Sequence, residues 1–233
     1  MKIKLAIFDV DGTLFNGNLG IEFIKVLVQK ELFTKEIGEK IFDWYNKYKN
    51  SEVEKSIAVD EIYKLYATGM KGINKVKADE ISLETWQKVN GKMYKFVPKM
   101  VDLFKKQNYL IILLSGSLIE MVRILGNELQ INEENIMAGE IEIIDDFYTG
   151  NIISYPGSAD QKIEALMKLI QKKDINVDWK NSIAMGDNER DLKVLEMVGK
   201  PIAFNPNEKL RNVAKNNGWR ITDENTIFSD CGW

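Results

Sequence analysis

Histidine is absent from this chain of 233 residues. Its absence excludes a histidine-based catalytic triad, a histidine general base and a histidine-ligated zinc site, and it leaves carboxylates as the natural acid–base groups. Cysteine is nearly absent as well. The single Cys231 allows no intrachain disulfide, which fits a reducing compartment.

A large excess of one charge and a long apolar run are also missing. The 32 basic and 35 acidic residues leave a net charge of -3, so neither nucleic acid nor an anionic membrane is an expected partner. Lys2 and Lys4 are followed by acids at positions 9 and 11, so no signal-peptide apolar region forms, and the apolar run 109–114 is too short to cross a bilayer. We therefore expect a soluble, cytoplasmic protein, long enough to bury a sizeable core.

Two carboxylates stand at the end of an apolar run near the N-terminus. Residues 3–8 predict a buried parallel strand, and Asp9 and Asp11 follow it where ligands bind in an open α/β sheet. Two such acids cannot both ionise cheaply, so the pair indicates either a divalent metal or a retained proton. A calcium-binding EF-hand loop is excluded, because Leu14 and Gly20 occupy its glycine and glutamate positions. An ordinary solvated turn remains the alternative.

The stretch from residue 18 to 95 has the periodicity of helices. Apolar residues recur at helical spacing, a break is expected at Gly69 and Gly72, and a further helical segment carries Trp86. Helical spacing favours a bundle core for the aromatic residues over a ligand cage. The recurring residues are Ile21, Ile24, Leu27 and Val28, then Ile37, Ile41, Trp44, Tyr45 and Tyr48, then Ile62, Leu65 and Tyr66.

Outside this stretch, predicted strands alternate with predicted helices. The strands are expected at 3–8, 109–114, 182–185 and 201–204, the last of the sheet, with an antiparallel hairpin over 136–153. The helices are expected at 100–106, 118–125, 160–172 and 208–216, with Pro98 ending the preceding helical stretch. The pattern predicts an α/β fold: a doubly wound, Rossmann-like parallel sheet with a helical insertion after the first strand and a small β-hairpin.

Polar residues recur at the predicted strand ends. Ser115 and Gly116 offer a hydroxyl and backbone N–H groups to an anion, although a simple serine N-cap is an equal alternative. Lys162 lies in a first helical turn, where the helix dipole disfavours it unless an anion is bound. Asp187 and Asp191 again place acids beyond a strand.

These motifs, taken in order, resemble those of a known family. The run Asp9-Val10-Asp11-Gly12-Thr13, then Ser115, then Lys162, then Gly186-Asp187 with Asp191, resembles the four motifs of the haloacid dehalogenase superfamily. The run 199–206 is similar to its phosphoserine phosphatase-like branch.

The resemblance implies a division of the chain and a catalytic centre. Residues 1–17 and 96–233 would form the α/β core, and 18–95 would form a helical type 1 cap. Asp9 would be the nucleophile that becomes an aspartyl-phosphate, and Asp11 would protonate the leaving oxygen and then activate water. Asp9, the backbone carbonyl of Asp11 and Asp187 would hold Mg²⁺.

The same resemblance implies a phosphate-binding set. Ser115, the N–H of Gly116 and Lys162 would bind the phosphoryl oxygens, and Asp191 would orient Lys162 or the surroundings of the metal.

Two departures from the branch bear on the substrate. Asn18 stands where phosphoserine phosphatases carry a glutamate for the substrate ammonium, and the first arginine of the chain, Arg123, lies beyond the cap. Lysines cannot replace the bidentate contact of an arginine with a carboxylate, so phosphoserine is disfavoured. Arg190 stands where relatives often carry asparagine, and it either reaches the substrate phosphate or faces solvent.

The sequence therefore predicts an enzyme, a Mg²⁺-dependent phosphatase that hydrolyses a small phosphorylated metabolite through an aspartyl-phosphate. A phosphotransferase or phosphomutase with the same intermediate is the nearest alternative. A phosphate-binding regulatory module without turnover is a third, less favoured because both Asp9 and Asp11 accompany Lys162 and Asp187.

Overall fold

The computed structural model describes residues 2–233, apart from the side chains of residues 55 and 56. The strands in this range are β1 Lys4–Phe8, β2 Tyr109–Leu118, β3 Ile136–Ile144, β4 Phe147–Ser154, β5 Ile183–Gly186, β6 Lys200–Phe204 and β7 Arg220–Thr222. The helices are α1 Leu19–Gln29, α2 Lys35–Lys49, α3 Lys55–Met70, α4 Lys75–Val89, α5 Val97–Lys106, α6 Ile119–Glu128, α7 Ala159–Lys172, α8 Leu192–Met197, α9 Glu208–Asn216 and α10 Ile227–Cys231. None of these helices has the length and apolar content needed to cross a membrane.

The described strands form one seven-stranded sheet in the order β4-β3-β2-β1-β5-β6-β7. In the spatial order of the sheet, each pair of neighbours from β3 through β2, β1, β5 and β6 to β7 is parallel. The edge strand β4 pairs with β3 in the antiparallel direction. Phe8 at the end of β1 lies opposite Leu113 of β2 and Met185 of β5. The residues that follow these three positions therefore meet at one edge of the sheet.

Helices cover both faces of the sheet. Alternate side chains of each buried strand point to opposite faces, so each strand contributes to two clusters. Leu5 and Ile7 pack in a cluster with residues of α7, α8 and α9. Ala6 and Phe8 pack in a second cluster with residues of α1, α4, α5 and α6. This arrangement confirms the predicted fold class, a doubly wound sheet with helices on both faces.

The predicted helical stretch is confirmed as α1 to α4. Asn18 caps α1 by accepting a hydrogen bond from the N–H of Ile21 (2.8 Å), as expected for an Asn N-cap. The helical structure is interrupted at residues 71–74, between α3 and α4. The prediction of a break at Gly69 was wrong, because this residue lies within α3. A side chain at this position would overlap the ring of Phe33.

A strap of backbone hydrogen bonds joins the turn between α3 and α4 to β4. The N–H of Gly72 donates to the carbonyl of Tyr148 (2.8 Å), and the N–H of Tyr148 donates to the carbonyl of Ile73 (3.0 Å). The N–H of Lys75 donates to the carbonyl of Asp146 (2.8 Å). The strap therefore fastens the helical segment 19–89 to the hairpin at the edge of the sheet.

A buried carboxylate reinforces this connection. Glu120 in the first turn of α6 is 4% exposed. Its Oε2 accepts a hydrogen bond from the hydroxyl of Tyr66 on α3 (3.0 Å), and its Oε1 accepts one from Tyr148 on β4 (2.8 Å). Burial raises the pKa of Glu120, although the two hydroxyl donors oppose the rise.

Three details of the predicted elements were wrong. The strand expected to end at residue 114 continues to Leu118, because residues 115–117 stay extended while the pairing with β3 shifts register. Pro98 lies in the first turn of α5, a position that needs no N–H donor. The strand over 200–204 is followed by β7, whose three residues are too few to produce an alternating pattern.

Candidate active site

Asp9 stands at the centre of the edge where the parallel strands end. Its N–H donates to the carbonyl of Met185 (3.0 Å), so the backbone stays against β5, and its side chain is 5% exposed. Oδ1 accepts a hydrogen bond from Lys162 (2.6 Å). Oδ2 is buried and has no hydrogen-bond partner among the residues that the structure describes. A buried acceptor of this kind is costly unless a ligand completes it.

Lys162 reaches Asp9 from α7. The helix begins with a capping box at Ser158 and Gln161, which fixes the turn that carries the lysine. The ammonium is 1% exposed and lies 2.6 Å from Oδ1 of both Asp9 and Asp191. Burial alone would lower the pKa of Lys162, but the charges of Asp191 and Asp9 raise it above its ordinary value. Lys162 is therefore a fixed positive charge beneath Asp9.

Asp191 holds this lysine and the turn after β5 together. Besides Lys162, it binds through Oδ2 the N–H groups of Asp187 (3.2 Å) and Asn188 (3.3 Å). The turn continues as a short 3₁₀ helix at Glu189–Asp191. Asp191 therefore contacts both Lys162 and the turn that carries Asp187, and its role in orienting the lysine or the surroundings of a metal stays a prediction.

Asp187 completes a cluster of carboxylates. One oxygen each from Asp9, Asp187 and Asp191 lie within 4.8 Å of one another. Asn188 donates its side-chain N–H to Oδ1 of Asp187. Gly12 has φ +86°, and a Cβ there would overlap the Asp187 carboxylate, so glycine is required for both conformation and space.

The oxygen-only donor set fits a hard divalent cation. The partnerless Oδ2 of Asp9 offers a ligand atom, and burial raises the pKa of Asp9 even though Lys162 opposes the rise. Mg²⁺ prefers carboxylate oxygens of this kind. Asp9 and Asp187, two of the residues predicted to hold the metal, belong to this carboxylate cluster. The third, Asp11, was predicted to contribute its backbone carbonyl and not its carboxylate.

Asp11 lines the same cavity as Asp9 and lies against the start of α1. Its Oδ1 accepts a hydrogen bond from the N–H of Leu19 (2.9 Å), and the hydroxyl of Ser117 also bonds to it. Burial raises the pKa of Asp11 to about 6, and the charge of Asp9 adds to the rise, while both hydrogen bonds oppose it. This carboxyl can therefore exchange a proton near neutral pH.

The end of β2 brings Ser115 and Gly116 to the same edge. Ser115 is 1% exposed, and its Oγ accepts a hydrogen bond from the N–H of Ser117 (3.0 Å), which leaves the hydroxyl proton for donation. Ser117 is fixed in turn, because its Oγ accepts from the N–H of Gly20 (3.0 Å). A Cβ on Gly116 would lie 3.3 Å from the Cα of Gly157, so this loop packs closely on the segment before α7.

Arg190 lies on the wall of the site. Its Nε donates to Oδ1 of Asn188 (3.1 Å), and its Nη1 donates to the carbonyl of Gly157 (3.4 Å). Burial would lower the pKa of Arg190, but the charges of Asp9, Asp191 and Asp187 raise it. Arg190 therefore lies on the cavity wall near the carboxylates, while its contact with a substrate phosphate stays a prediction. Asn188 was missed, although its spacing from Asp191 is that of a capping box.

These side chains surround one cavity of about 310 Å³. The predicted site residues on its wall are Asp9, Asp11, Asn18, Ser115, Gly116, Asp187 and Arg190. Lys162 and Asp191 lie beneath Asp9, in a small space that they share with it. A larger groove of about 740 Å³, at the opposite ends of the strands, contains none of the predicted site residues.

The helical segment 19–89 supplies the other side of this cavity. Tyr45 and Tyr48 of α2 and Tyr63 of α3 line it. The predicted bundle core contains the buried Tyr66 and Trp86, and Tyr45, which packs against that core, also lines the cavity. Helical spacing alone does not show which aromatic face meets another helix and which meets the sheet edge.

Comparison with known proteins points to one family. A model of haloacid dehalogenase-like hydrolases matches residues 6–196. A histidinol-phosphatase of Neisseria meningitidis is 24% identical over 234 residues, covering 94% of this chain and 97% of that protein. Phosphoserine phosphatase SerB1 of Mycobacterium tuberculosis is 23% identical over 231 residues, covering 94% of this chain and 70% of that protein.

A solved structure has the same fold. The crystal structure of a protein of unknown function from Bordetella pertussis Tohama I aligns with a TM-score of 0.80 and 20% identity, covering 96% of this chain and all of that one. The predicted family resemblance is confirmed, as is the prediction of an enzyme of the phosphatase class.

Proposed function

Because this chain belongs to the haloacid dehalogenase-like hydrolase family, we propose that it hydrolyses the phosphomonoester of a small metabolite through an aspartyl-phosphate on Asp9. The observation that carries this proposal is the Asp9 side chain. One oxygen is held by a buried lysine, and the other is a buried acceptor without a partner in the described structure. The names of the phosphoserine and histidinol phosphatase relatives support a small phosphorylated substrate.

The residues divide the reaction between them. The carboxylate of Asp9 attacks phosphorus as the bond to the leaving oxygen breaks, and Asp11 gives its proton to that oxygen. Water then attacks the phosphorus, Asp11 takes its proton, and the bond to Asp9 breaks to release inorganic phosphate. Ser115 and the N–H of Gly116 hold the phosphoryl oxygens in both steps, and Lys162 supplies positive charge from beneath Asp9.

The carboxylate cluster would hold Mg²⁺ with Asp9, Asp187 and the backbone carbonyl of Asp11 as ligands, since its oxygen donors suit this ion. When bound, the ion would neutralise charge on the transferred phosphoryl group. Asp191 is engaged by Lys162 and two backbone N–H groups, so it supports the lysine and the turn that carries Asp187.

We also propose a division of labour along the chain. Residues 1–17 and 96–233 would carry the chemistry, and residues 18–95 would act as a cap that covers the phosphoryl site and contacts the leaving group. Asn18 stands at the junction, where its side chain caps α1 on the cavity wall. The single cysteine and the metabolic relatives favour the cytoplasm as the place of action.

A phosphatase assay with a matched variant tests the proposal. Asp9→Asn should lower kcat for p-nitrophenyl phosphate by about 10⁴ to 10⁶, as expected for loss of a nucleophile. Asp102→Asn, at an exposed position on α5, is the control and should keep wild-type activity. Retention of a tenth of the activity by Asp9→Asn would refute the assignment.

The same assay separates the alternatives. EDTA should abolish turnover and Mg²⁺ should restore it, and full activity in chelator would refute the metal site. A phosphotransferase or phosphomutase would pass the phosphoryl group to an added sugar or alcohol instead of releasing inorganic phosphate. A regulatory module would bind phosphate without turnover.

A further inference from the structure

The wall of the cavity opposite the phosphoryl site is apolar and aromatic. It is formed by Ile21 and Ile24 of α1, Tyr45 and Tyr48 of α2, and Ile62 and Tyr63 of α3. These side chains come from three helices but face one space. A leaving group bound at Asp9 and Asp11 must therefore lie against rings and branched aliphatic chains.

The aromatic part of this wall is held in place. Tyr63 is 3% exposed and stacks on Tyr155, with ring centroids 4.2 Å apart and an angle of 20° between the planes. Tyr155 lies against Gly157, which packs closely on Gly116 of the phosphoryl-binding loop. The Tyr63 ring is thus fixed relative to the phosphoryl site through contacts that cross from α3 to the sheet.

Tyr45 and Tyr48 form the second aromatic surface. Their ring centroids are 6.4 Å apart, one helical turn along α2. The pKa of Tyr45 is raised by burial and next by the charge of Asp11, which places this tyrosine within the field of the catalytic end. Both rings line the cavity that also contains Asp11, so a leaving group attached to phosphorus would share that space with them.

The charged side chains occupy different parts of the cavity wall. Among the lining residues that the structure describes, the carboxylates are Asp9, Asp11 and Asp187, all at the phosphoryl end. The cations on the wall are Arg190 and Lys49, whose Nζ lies 5.7 Å from the ring of Tyr45 at the exposed side. Among the described lining residues of α1, α2 and α3 no carboxylate would contact a buried ammonium, and desolvation would penalise its binding.

The size of the cavity limits the leaving group further. A volume of about 310 Å³ is at the lower end of ligand pockets, which begin at about 300 Å³. It suits a phosphoryl group with one ring or one branched apolar body, and not a dinucleotide or a long chain.

Resting on the phosphatase activity proposed above, we propose that the substrate is the phosphomonoester of an alcohol with an uncharged ring or branched apolar body. Tyr45, Tyr48 and Tyr63 select that body by contact, and the absence of a carboxylate on their side of the described cavity rejects ammonium-bearing alcohols. The reaction is hydrolysis: water supplies the oxygen of the released phosphate, and the alcohol leaves with a proton from Asp11.

Three phosphate esters of primary alcohols test this class, because their leaving groups react similarly in solution. We expect kcat/KM to fall from 2-phenylethyl phosphate to glycerol 3-phosphate to phosphoethanolamine, with at least about a tenfold difference between the first and the last. Equal or better turnover of glycerol 3-phosphate or phosphoethanolamine would overturn the substrate class. If none of the three nor p-nitrophenyl phosphate is hydrolysed, the phosphatase proposal itself is wrong and the substrate class fails with it.

Variants of α2 assign the preference to the aromatic wall. Tyr48→Ala should reduce the ratio of kcat/KM for 2-phenylethyl phosphate to that for glycerol 3-phosphate by about tenfold. Trp44→Ala is the matched control, since Trp44 lies on the same helix but outside the cavity, beneath Lys47. An unchanged ratio in Tyr48→Ala, or the same fall in Trp44→Ala, would overturn the assignment.

A substitution that adds charge tests the electrostatic part independently. Ile62→Glu places a carboxylate on the half-buried wall of the cavity. It should raise the ratio of kcat/KM for phosphoethanolamine to that for 2-phenylethyl phosphate by about tenfold or more. No change in this ratio, in a variant that still hydrolyses p-nitrophenyl phosphate, would contradict the role given to the missing carboxylate.

Discussion

Replacing Lys162 with methionine should destabilise the fold strongly. The ammonium is almost fully buried and lies 2.6 Å from Oδ1 of Asp9 and of Asp191. Each of the two charge-assisted hydrogen bonds contributes about 1.5–3 kcal/mol. Removal of one partner of a buried ion pair costs about 3–5 kcal/mol, and we expect a loss of this size in the free energy of unfolding. Methionine keeps an unbranched apolar side chain, so the loss reports charge more than packing.

Urea unfolding followed by the fluorescence of the five tryptophans measures this loss. The buffer should contain EDTA, so that no divalent cation replaces the ammonium. The matched control is Lys168→Met on the same helix. Lys168 pairs with Glu164 at 2.6 Å, but its side chain is 73% exposed. This exposed pair should be worth about 0.5 kcal/mol or less.

The sign of the pH dependence gives a second measurement on Lys162→Met. Burial already raises the pKa of Asp9 above its ordinary 3.8, and removing Lys162 takes away the charge that opposes the rise. A carboxyl whose pKa is higher in the folded than in the unfolded protein stabilises the fold at pH values below the unfolded pKa, and this stability is lost as pH increases. The free energy of unfolding of Lys162→Met should therefore fall further below that of the wild type as pH increases. A loss below about 1 kcal/mol at neutral pH, or a deficit that shrinks as pH rises, would refute the reasoning.

Two further predictions concern the frame of the site. Gly12→Ala should abolish most activity, because the added Cβ would overlap Asp187. The control Gly72→Ala has a similar φ of +80° and nothing within 4 Å of the added Cβ, so it should cost about 1 kcal/mol of backbone strain and leave kcat intact. Equal activities of the two variants would contradict the overlap with Asp187. For Glu120, burial raises the pKa above the ordinary 4.5, so its stabilising contribution is present below that value and lost as pH rises. Urea titrations should therefore show wild type losing stability relative to Glu120→Gln from about pH 4.5 upward, and a constant difference would contradict the raised pKa.

The sequence was sufficient for the class of the sheet, although not for β7, and for the order of polar residues along its edge. An apolar run followed by acids or a serine is a local signal, and the runs in β1, β2 and β5 are each followed by one. Parallel pairing then brings the strand ends together without any further information. The fold class and the family could be predicted for this reason, while the chemical roles of Asp9, Asp11 and Asp187 stay predictions until the assays above are made.

What the sequence could not predict depends on contacts between distant segments. The direction of Arg190 is set by Asn188 and by the carbonyl of Gly157, which belongs to another loop. The orientation of Tyr45 and Tyr48 depends on how α2 lies over the sheet edge, and the strap pairs backbone groups that leave no side-chain pattern.

The strap also determines how the chain can be recombined. A chimaera that exchanged residues 19–89 for a short loop would expose the outer N–H and C=O groups of Tyr148, and it would remove the hydroxyl of Tyr66 from the buried Glu120. Unpaired strand edges recruit other chains, so such a hybrid would be prone to aggregate through β4. Transplanting a different helical segment onto this sheet therefore requires the hairpin to be exchanged together with it.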